Sequence, residues 1–326
     1  MKAWVGERGA PVARYRQVDL PDPAPAPDEV VLRVHAAGLN LADRFPKRRH
    51  FEHSAALPAA IPGLEAAGEI EAVGRSVRSH RPGERVMAML HGACAQYACA
   101  HESLLMSVPP GMSWTDAAAV PVSFLTAHDA LVTNARLERG ANLLVLGATT
   151  GVGLAALQIA RRHGAALVAG SSRSAAKLER ARELGLDLAL LDAGAGVADR
   201  VLEATSGRGA DVVLDHLGGR VLHDTLRATA LGGRIVNVGR FAGTRGEIDL
   251  ELLSLRRISL IGVSFRTRSL AEHAEVVSRF VAQHDADLAS GALRPMVDRV
   301  YEFSDLPAAI ERAAGGAQFG KLVLAI

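Results

Sequence analysis

The sequence predicts an α/β protein built of two modules, one irregular and mostly β, the other a doubly wound parallel sheet. Three observations carry this. Up to about Ser113 the chain offers short β-prone runs broken by Pro and Gly. Near Trp114 the texture changes, and apolar runs of about five residues begin to alternate with helical segments. Within that second part, residues 143–153 (LLVLGATTGVG) read as a strand, a glycine-rich turn and the start of a helix.

The first module rests on residues 30–36, 67–73, 84–90 and 104–108, each a short β-prone run; the proline-rich stretch 21–27 (PDPAPAP) is a stiff surface connection. The second rests on six apolar runs, 143–146, 166–169, 188–191, 212–214, 235–238 and 258–263. Helical stretches at 154–162, 175–184, 197–205 and 221–229 separate most of them. Strands covered on both faces read as continuous apolar runs, so this alternation implies a parallel sheet between two helical layers. After about residue 265 a long helix, 270–288, leads past Pro295 to a closing strand, 321–326.

The 326 residues, 49% hydrophobic and 22% charged, have room for about two domains with a sizeable core. The net charge of +2 comes from 37 basic and 35 acidic residues spread along the chain, so no strong field exists to steer nucleic acid or a membrane. The basic residues also lack aromatic interleaving. Charge at Glu7 and Arg8 precedes any signal-like apolar core, and no apolar run of about 18 residues occurs, so a cytoplasmic location is expected. In a continuous strand the odd spacing of Cys94 and Cys99 would point them to opposite faces, against a disulfide. Two cysteines also cannot build a four-thiolate zinc lobe.

A glycine-rich turn between strand and helix lets backbone N–H groups and the helix N-terminus meet a pyrophosphate. Here Ala148 and Thr150 stand at the first two positions of the glycine fingerprint, and Gly153 is kept as the third. Thr150 either crowds the pyrophosphate or bonds it through its hydroxyl, and both readings stay open. The second apolar run leads into Gly170-Ser171-Ser172-Arg173-Ser174, then Lys177. An acidic residue here would bond the ribose 2′-OH of NAD, whereas Ser172 with Arg173 and Lys177 suits the 2′-phosphate of NADP. NADPH is therefore the expected cofactor. The cluster Lys47-Arg48-Arg49-His50, with His53 nearby, reads more readily as a solvated loop than as a contact for an acidic substrate or a phosphopantetheine arm.

With these motifs in view, the chain resembles the zinc-independent quinone oxidoreductase branch of the medium-chain dehydrogenases, the zeta-crystallin-like proteins. The resemblance covers nearly the whole length. Its segments are Ala36-Ala37-Gly38-Leu39-Asn40-Leu41-Ala42-Asp43, Pro62-Gly63-Leu64-Glu65-Ala66-Ala67-Gly68, residues 121–127, residues 147–153, Phe265-Arg266-Thr267-Arg268-Ser269 and Gly320-Lys321-Leu322-Val323-Leu324. It implies a GroES-like, mostly β substrate domain over residues 1–117 and 265–326, with a Rossmann dinucleotide domain over 118–264 and the active cleft between them. It implies that Asn40 and Asp43 are the catalytic pair near nicotinamide, and that Gly151 and Val152 meet the pyrophosphate. Thr126, Leu217, Gly239, Phe241 and Phe265 would contact the cofactor, and Asp192 falls where an adenine-stacking tyrosine is common. For Asn40 and Asp43 the plain alternative is an Asx-stabilised turn.

Zinc members carry Gly-His-Glu where this chain has Gly63-Leu64-Glu65, and leucine cannot ligate zinc. Other departures concern the pocket. A family tyrosine falls at Phe51, an aromatic at Cys94, and a tryptophan at His128. The implied activity is transfer of hydride from NADPH to a quinone or an activated C=C bond of a small electrophile, by a homodimer. The Asn40 amide is expected to donate to the developing oxyanion. Asp43, ionised at its ordinary pKa, is not a standing acid, so the proton is expected from a solvent-fed relay. The alternatives are an enoyl-thioester reductase and a cofactor-binding protein without turnover.

Overall fold

The computed structural model describes residues 1–6, 14–44, 61–192 and 196–326. Lys47, Arg48, Arg49, His50, Phe51 and His53, singled out above, lie outside the described residues. The chain divides into two compact units, one discontinuous (Met1–Leu125 with Phe265–Ile326) and one contiguous (Thr126–Ser264).

The contiguous unit holds a six-stranded sheet in which every neighbouring pair is parallel. In spatial order the strands are Leu188–Leu191, Leu167–Ser172, Asn142–Leu146, Ala210–Asp215, Thr229–Asn237 and Ser259–Gly262. Counted along the unit this is 3-2-1-4-5-6, so the winding reverses between Asn142–Leu146 and Ala210–Asp215, where open α/β sheets bind their ligands. Asn142–Leu146 is buried at every position, as a strand covered on both faces must be. Leu144, Leu146, Val213 and Ile235 pack with Val201 and Leu226 of the helices Val197–Ala204 and Leu222–Ala228 in one apolar cluster.

Two elements depart from the expected bounds for local reasons. The second strand runs three residues past the expected 169, because the backbone of Gly170, Ser171 and Ser172 continues the ladder opposite Val145, Leu146 and Leu191. The fifth begins at Thr229 rather than 235, with a bulge opposite Ala210 and Val212. Gly232 (φ 74°) and Gly233 make that bulge; a side chain at Gly233 would meet the Ala230 and Ala210 carbonyls at 2.9 and 3.1 Å.

The discontinuous unit holds a mostly antiparallel sheet organised around the long strand Glu29–Leu39. Glu65–Val73 pairs with it along one edge. The other edge is shared between Tyr97–His101, opposite residues 29–33, and Lys321–Ala325, opposite residues 36–39. The N-terminal strand Lys2–Gly6 pairs with Tyr15–Asp19 in a separate ribbon. The long helix Leu270–Ala289 opens on a capping box, Ser269 with Glu272, which satisfies two otherwise orphaned amides. Cys94 precedes the strand Tyr97–His101 rather than sharing it with Cys99, so alternation along one strand does not relate the pair; both are free and buried. Among the described residues no helix is long and apolar enough to cross a membrane.

Candidate functional site

The strand Asn142–Leu146 ends in Gly147 (φ 83°), and the helix Gly151–Arg162 starts four residues later. Thr150 caps that helix. Its hydroxyl donates to the Gly147 carbonyl at 3.0 Å and accepts from the Gly153 amide at 3.0 Å. The Thr150 side chain is thus engaged at both ends of the turn it caps. The Gly151 and Val152 amides head the helix with no partner among the described residues, the arrangement that attracts an anion. A side chain at Gly153 would lie 2.6 Å from the Gly147 carbonyl, so only glycine lets the helix settle on the turn. The turn fits a dinucleotide phosphate, with a tight bend, two free amides and a helix N-terminus.

The second strand braces this turn from beside it. Ser171 Oγ accepts from the Gly147 amide at 3.2 Å, its carbonyl accepts from Ala148 at 2.8 Å, and Ser172 Oγ shares a hydrogen bond with Thr149 Oγ1 at 2.9 Å. Arg173 is exposed and has no hydrogen-bond or ion-pair partner among the described residues. Lys177 lies in the first turn of the helix Ala175–Ala181, whose cap is Ser174. Asp192 is exposed in a left-handed conformation (φ 68°), its amide donating to the Ser172 carbonyl at 2.8 Å.

Leu217, Gly239 and Phe241 gather around the loop after Ala210–Asp215. Asp215 Oδ1 accepts from the amides of Leu217 and Gly218 at 2.8 and 2.9 Å, and its Oδ2 accepts from Asn237 at 3.0 Å. A side chain at Gly239 would meet the His216 carbonyl at 2.4 Å. Phe241, 52% exposed, lies with its ring nearly parallel to that of His216 at 6.4 Å. Thr126 is half-buried in the same unit.

In the discontinuous unit Asn40 and Asp43 close one short turn, the Asp43 amide donating to the Asn40 carbonyl at 3.0 Å. Asp43 Oδ2 accepts from the Asn40 amide at 2.7 Å, and its Oδ1 from the Gly63 amide at 3.0 Å. Burial pushes the Asp43 pKa up to about 6, against the lowering pull of those two amides and of Lys321, so the expectation of an ordinary carboxylate value does not hold. The Asn40 side chain turns inward. Its Nδ2 donates to Glu65 Oε1 at 2.9 Å and to the Gly38 carbonyl at 3.4 Å, while its Oδ1 accepts from Lys321 Nζ at 2.5 Å. Lys321 also pairs with Glu65 Oε1, and Glu65 Oε2 accepts from the Val122 amide at 2.7 Å. Both amide hydrogens of the expected oxyanion donor are therefore directed at protein acceptors.

Phe265 belongs to this unit as well; its ring lies 5.6 Å from that of His273, with the Arg268 guanidinium 5.0 Å from its centre. Leu64 is buried, which suits a side chain with nothing to ligate. Reasoning from sequence missed Glu65, Lys321, Tyr15 and His216. Glu65 and Lys321 sat inside quoted motifs, and a charged residue within a buried apolar strand is itself a signal that a partner waits elsewhere. Tyr15 donates its hydroxyl to the Asp43 carbonyl, bringing a phenol to the turn although none stands at position 51.

Residues 26–127 match the family model of the alcohol dehydrogenase GroES-like domain, and residues 151–282 that of the zinc-binding dehydrogenase. Erythronolide synthase of Saccharopolyspora erythraea is 34% identical over 318 residues, which take in 92% of this chain and 8% of the synthase, so the chain spans a small part of that relative's length. Quinone oxidoreductase of Rattus norvegicus is 29% identical over 325 residues, covering 98% of this chain and 96% of the relative. A mycobacterial protein solved in complex with NADPH superposes with a TM-score of 0.87 at 28% identity, covering 100% of both chains.

Proposed function

Since the chain belongs to the quinone oxidoreductase-like branch of the medium-chain dehydrogenase/reductase superfamily, we propose that this oxidoreductase takes NADPH and reduces a quinone or an activated C=C bond without zinc. The observation that carries the cofactor choice is the end of the strand Leu167–Ser172. There Ser172 and the exposed, unpaired Arg173 stand where a carboxylate would select NADH.

When bound, the cofactor supplies hydride from nicotinamide C4 to an electrophilic carbon. The Gly151 and Val152 amides hold its pyrophosphate, and Arg173 with Lys177 meets the 2′-phosphate. Leu217, Gly239 and Phe241 line the same crevice at the carboxyl ends of the strands. Asn40 acts as a positioning residue, fixing Glu65 and Lys321 beside the Asp43 turn. Leu64 offers no ligand atom where the zinc-dependent sequences carry histidine, which supports a reaction without zinc.

The sheet edge Ser259–Gly262, with Leu260 43% exposed and Leu255 of the neighbouring helix 71% exposed, supports a homodimer closed by edge pairing. The test of function is NADPH oxidation against quinones, enones, enals and crotonyl thioesters, with NADH as control. Turnover of quinones or enones supports the proposal. Exclusive turnover of thioesters makes the protein an enoyl-thioester reductase, and NADPH binding without oxidation of any acceptor removes the enzymatic reading.

A further inference from the structure

His216 follows the strand Ala210–Asp215 at the carboxyl end of the sheet, where the strand order reverses. Its residue is 4% exposed, and its Nε2 is buried with no hydrogen-bond partner among the described residues. Buried polar atoms are nearly always matched, and an unmatched one weakens the fold unless something else completes it.

The ring's position is tightly set. The His216 amide donates to the Leu146 carbonyl at 3.3 Å, and its carbonyl accepts from the Phe241 amide at 3.1 Å. A Cβ built on Gly147 would lie 3.3 Å from His216 Cβ and 3.7 Å from its Cδ2. Cδ2 is bonded to Nε2, so the edge of the ring nearest the orphan nitrogen lies beside the first residue of the glycine-rich turn. The neighbouring carboxylate of Asp215 does not serve this nitrogen, being spent on Leu217, Gly218 and Asn237. Burial holds the imidazole pKa down at about 4, so near neutral pH the ring is uncharged and carries one N–H.

We propose that His216 is a cofactor-binding residue, whose Nε2–H donates to an oxygen of the ribose–phosphate stretch of the dinucleotide lying on the glycine-rich turn. The inference rests on the dinucleotide reading above and adds to it a side-chain contact from the fourth strand. Oxygens of phosphate and ribose accept a neutral N–H without demanding charge, which suits a ring that is buried and uncharged. The ring of half-exposed Phe241 lies nearly parallel to it at 6.4 Å.

His216→Phe keeps the aromatic volume against Phe241 and removes both nitrogens. The expected result is an NADPH dissociation constant raised about tenfold, the effect of losing one net hydrogen bond, with ligand-free stability kept or increased. A dissociation constant within about twofold of the wild type overturns the proposal and leaves His216 a core-filling ring. Should the variant fold poorly, long-range 1H–15N spectra of the wild-type imidazoles decide. Saturation with NADP+ is expected to shift one buried ring's Nε2 resonance while the exposed histidines stay put, and no such shift overturns the proposal. Wild-type protein that binds neither NADPH nor NADH removes the dinucleotide reading itself, a result distinct from an unchanged His216→Phe affinity.

Discussion

Lys321→Met tests how much the buried Asn40–Glu65–Lys321 network contributes. Lys321 is 5% exposed and Glu65 is wholly buried. The substitution keeps most of the aliphatic stem but leaves the Glu65 carboxylate with only the Asn40 and Val122 N–H groups, and Asn40 Oδ1 loses its 2.5 Å donor. Removing one member of a buried pair costs about 3–5 kcal/mol, because the remaining charge stays desolvated. For a unit of this size that corresponds to a melting temperature lower by roughly 6–20 °C. Differential scanning calorimetry with tryptophan fluorescence follows the discontinuous unit through Trp4 and Trp114. The double variant Glu65→Gln with Lys321→Met removes both charges and is expected to regain about 2 kcal/mol or more relative to the single change. A single variant within about 1 kcal/mol of wild type, or a double variant in which the two losses simply add, would refute the reasoning.

Asp43 gives a pH signature of known sign. The folded state keeps its proton up to about pH 6, while the ordinary value is 3.8, so between these values unfolding releases a proton and the Asp43 contribution falls as pH rises, by about 3 kcal/mol in all. Urea unfolding of wild type and Asp43→Asn across that range should differ by this amount, and a constant difference would contradict the buried placement. His216 has the opposite sign. Its folded pKa of about 4 lies below the ordinary 6.5, so its contribution is lost as pH falls through that interval, and His216→Phe is expected to flatten the acid limb. Arg173→Ala with Lys177→Ala is expected to weaken NADPH by about 1.5–3 kcal/mol per lost charge-assisted contact and leave NADH nearly unchanged; equal loss for both cofactors, measured by titration, argues against the 2′-phosphate role. Light scattering at micromolar concentration is expected to give a dimeric mass, and Leu260→Arg a monomeric one.

The parallel sheet was legible because strands buried on both faces announce themselves as apolar runs, and Asn142–Leu146 is the plainest case. Its neighbour was cut short because Gly170, Ser171 and Ser172 look like loop residues. They are strand residues whose small side chains leave room for the glycine-rich turn, so the composition that suggested a break is a consequence of packing. The turn itself was readable, whereas the use made of Thr150 depends on two hydrogen bonds that no spacing encodes. The unit carrying Asn40 was harder. Lys321 lies 281 positions from Asn40, so nothing local marks the pair, and the motifs containing them were read for family shape rather than for charge. His216 looked like any single histidine after a strand, and only its unmatched nitrogen beside Gly147 distinguishes it.

The division of the chain has a consequence for how it is made. Thr126–Ser264 contains every partner of its own sheet and can assemble as soon as that span is available. The unit around it cannot, because one stretch of the Glu29–Leu39 edge stays unfilled, and Glu65 has no cation, until Lys321–Ala325 has been synthesised. Non-local pairing of this kind is slow, and an unfilled strand edge is a site for pairing with other chains. A chain in which Lys321–Ala325 has not yet paired is expected to hold an assembled Thr126–Ser264 sheet together with an open Glu29–Leu39 edge. It is in that interval that a chaperone would protect yield, and that a circular permutant joining residues 265–326 directly to residue 1 would gain speed.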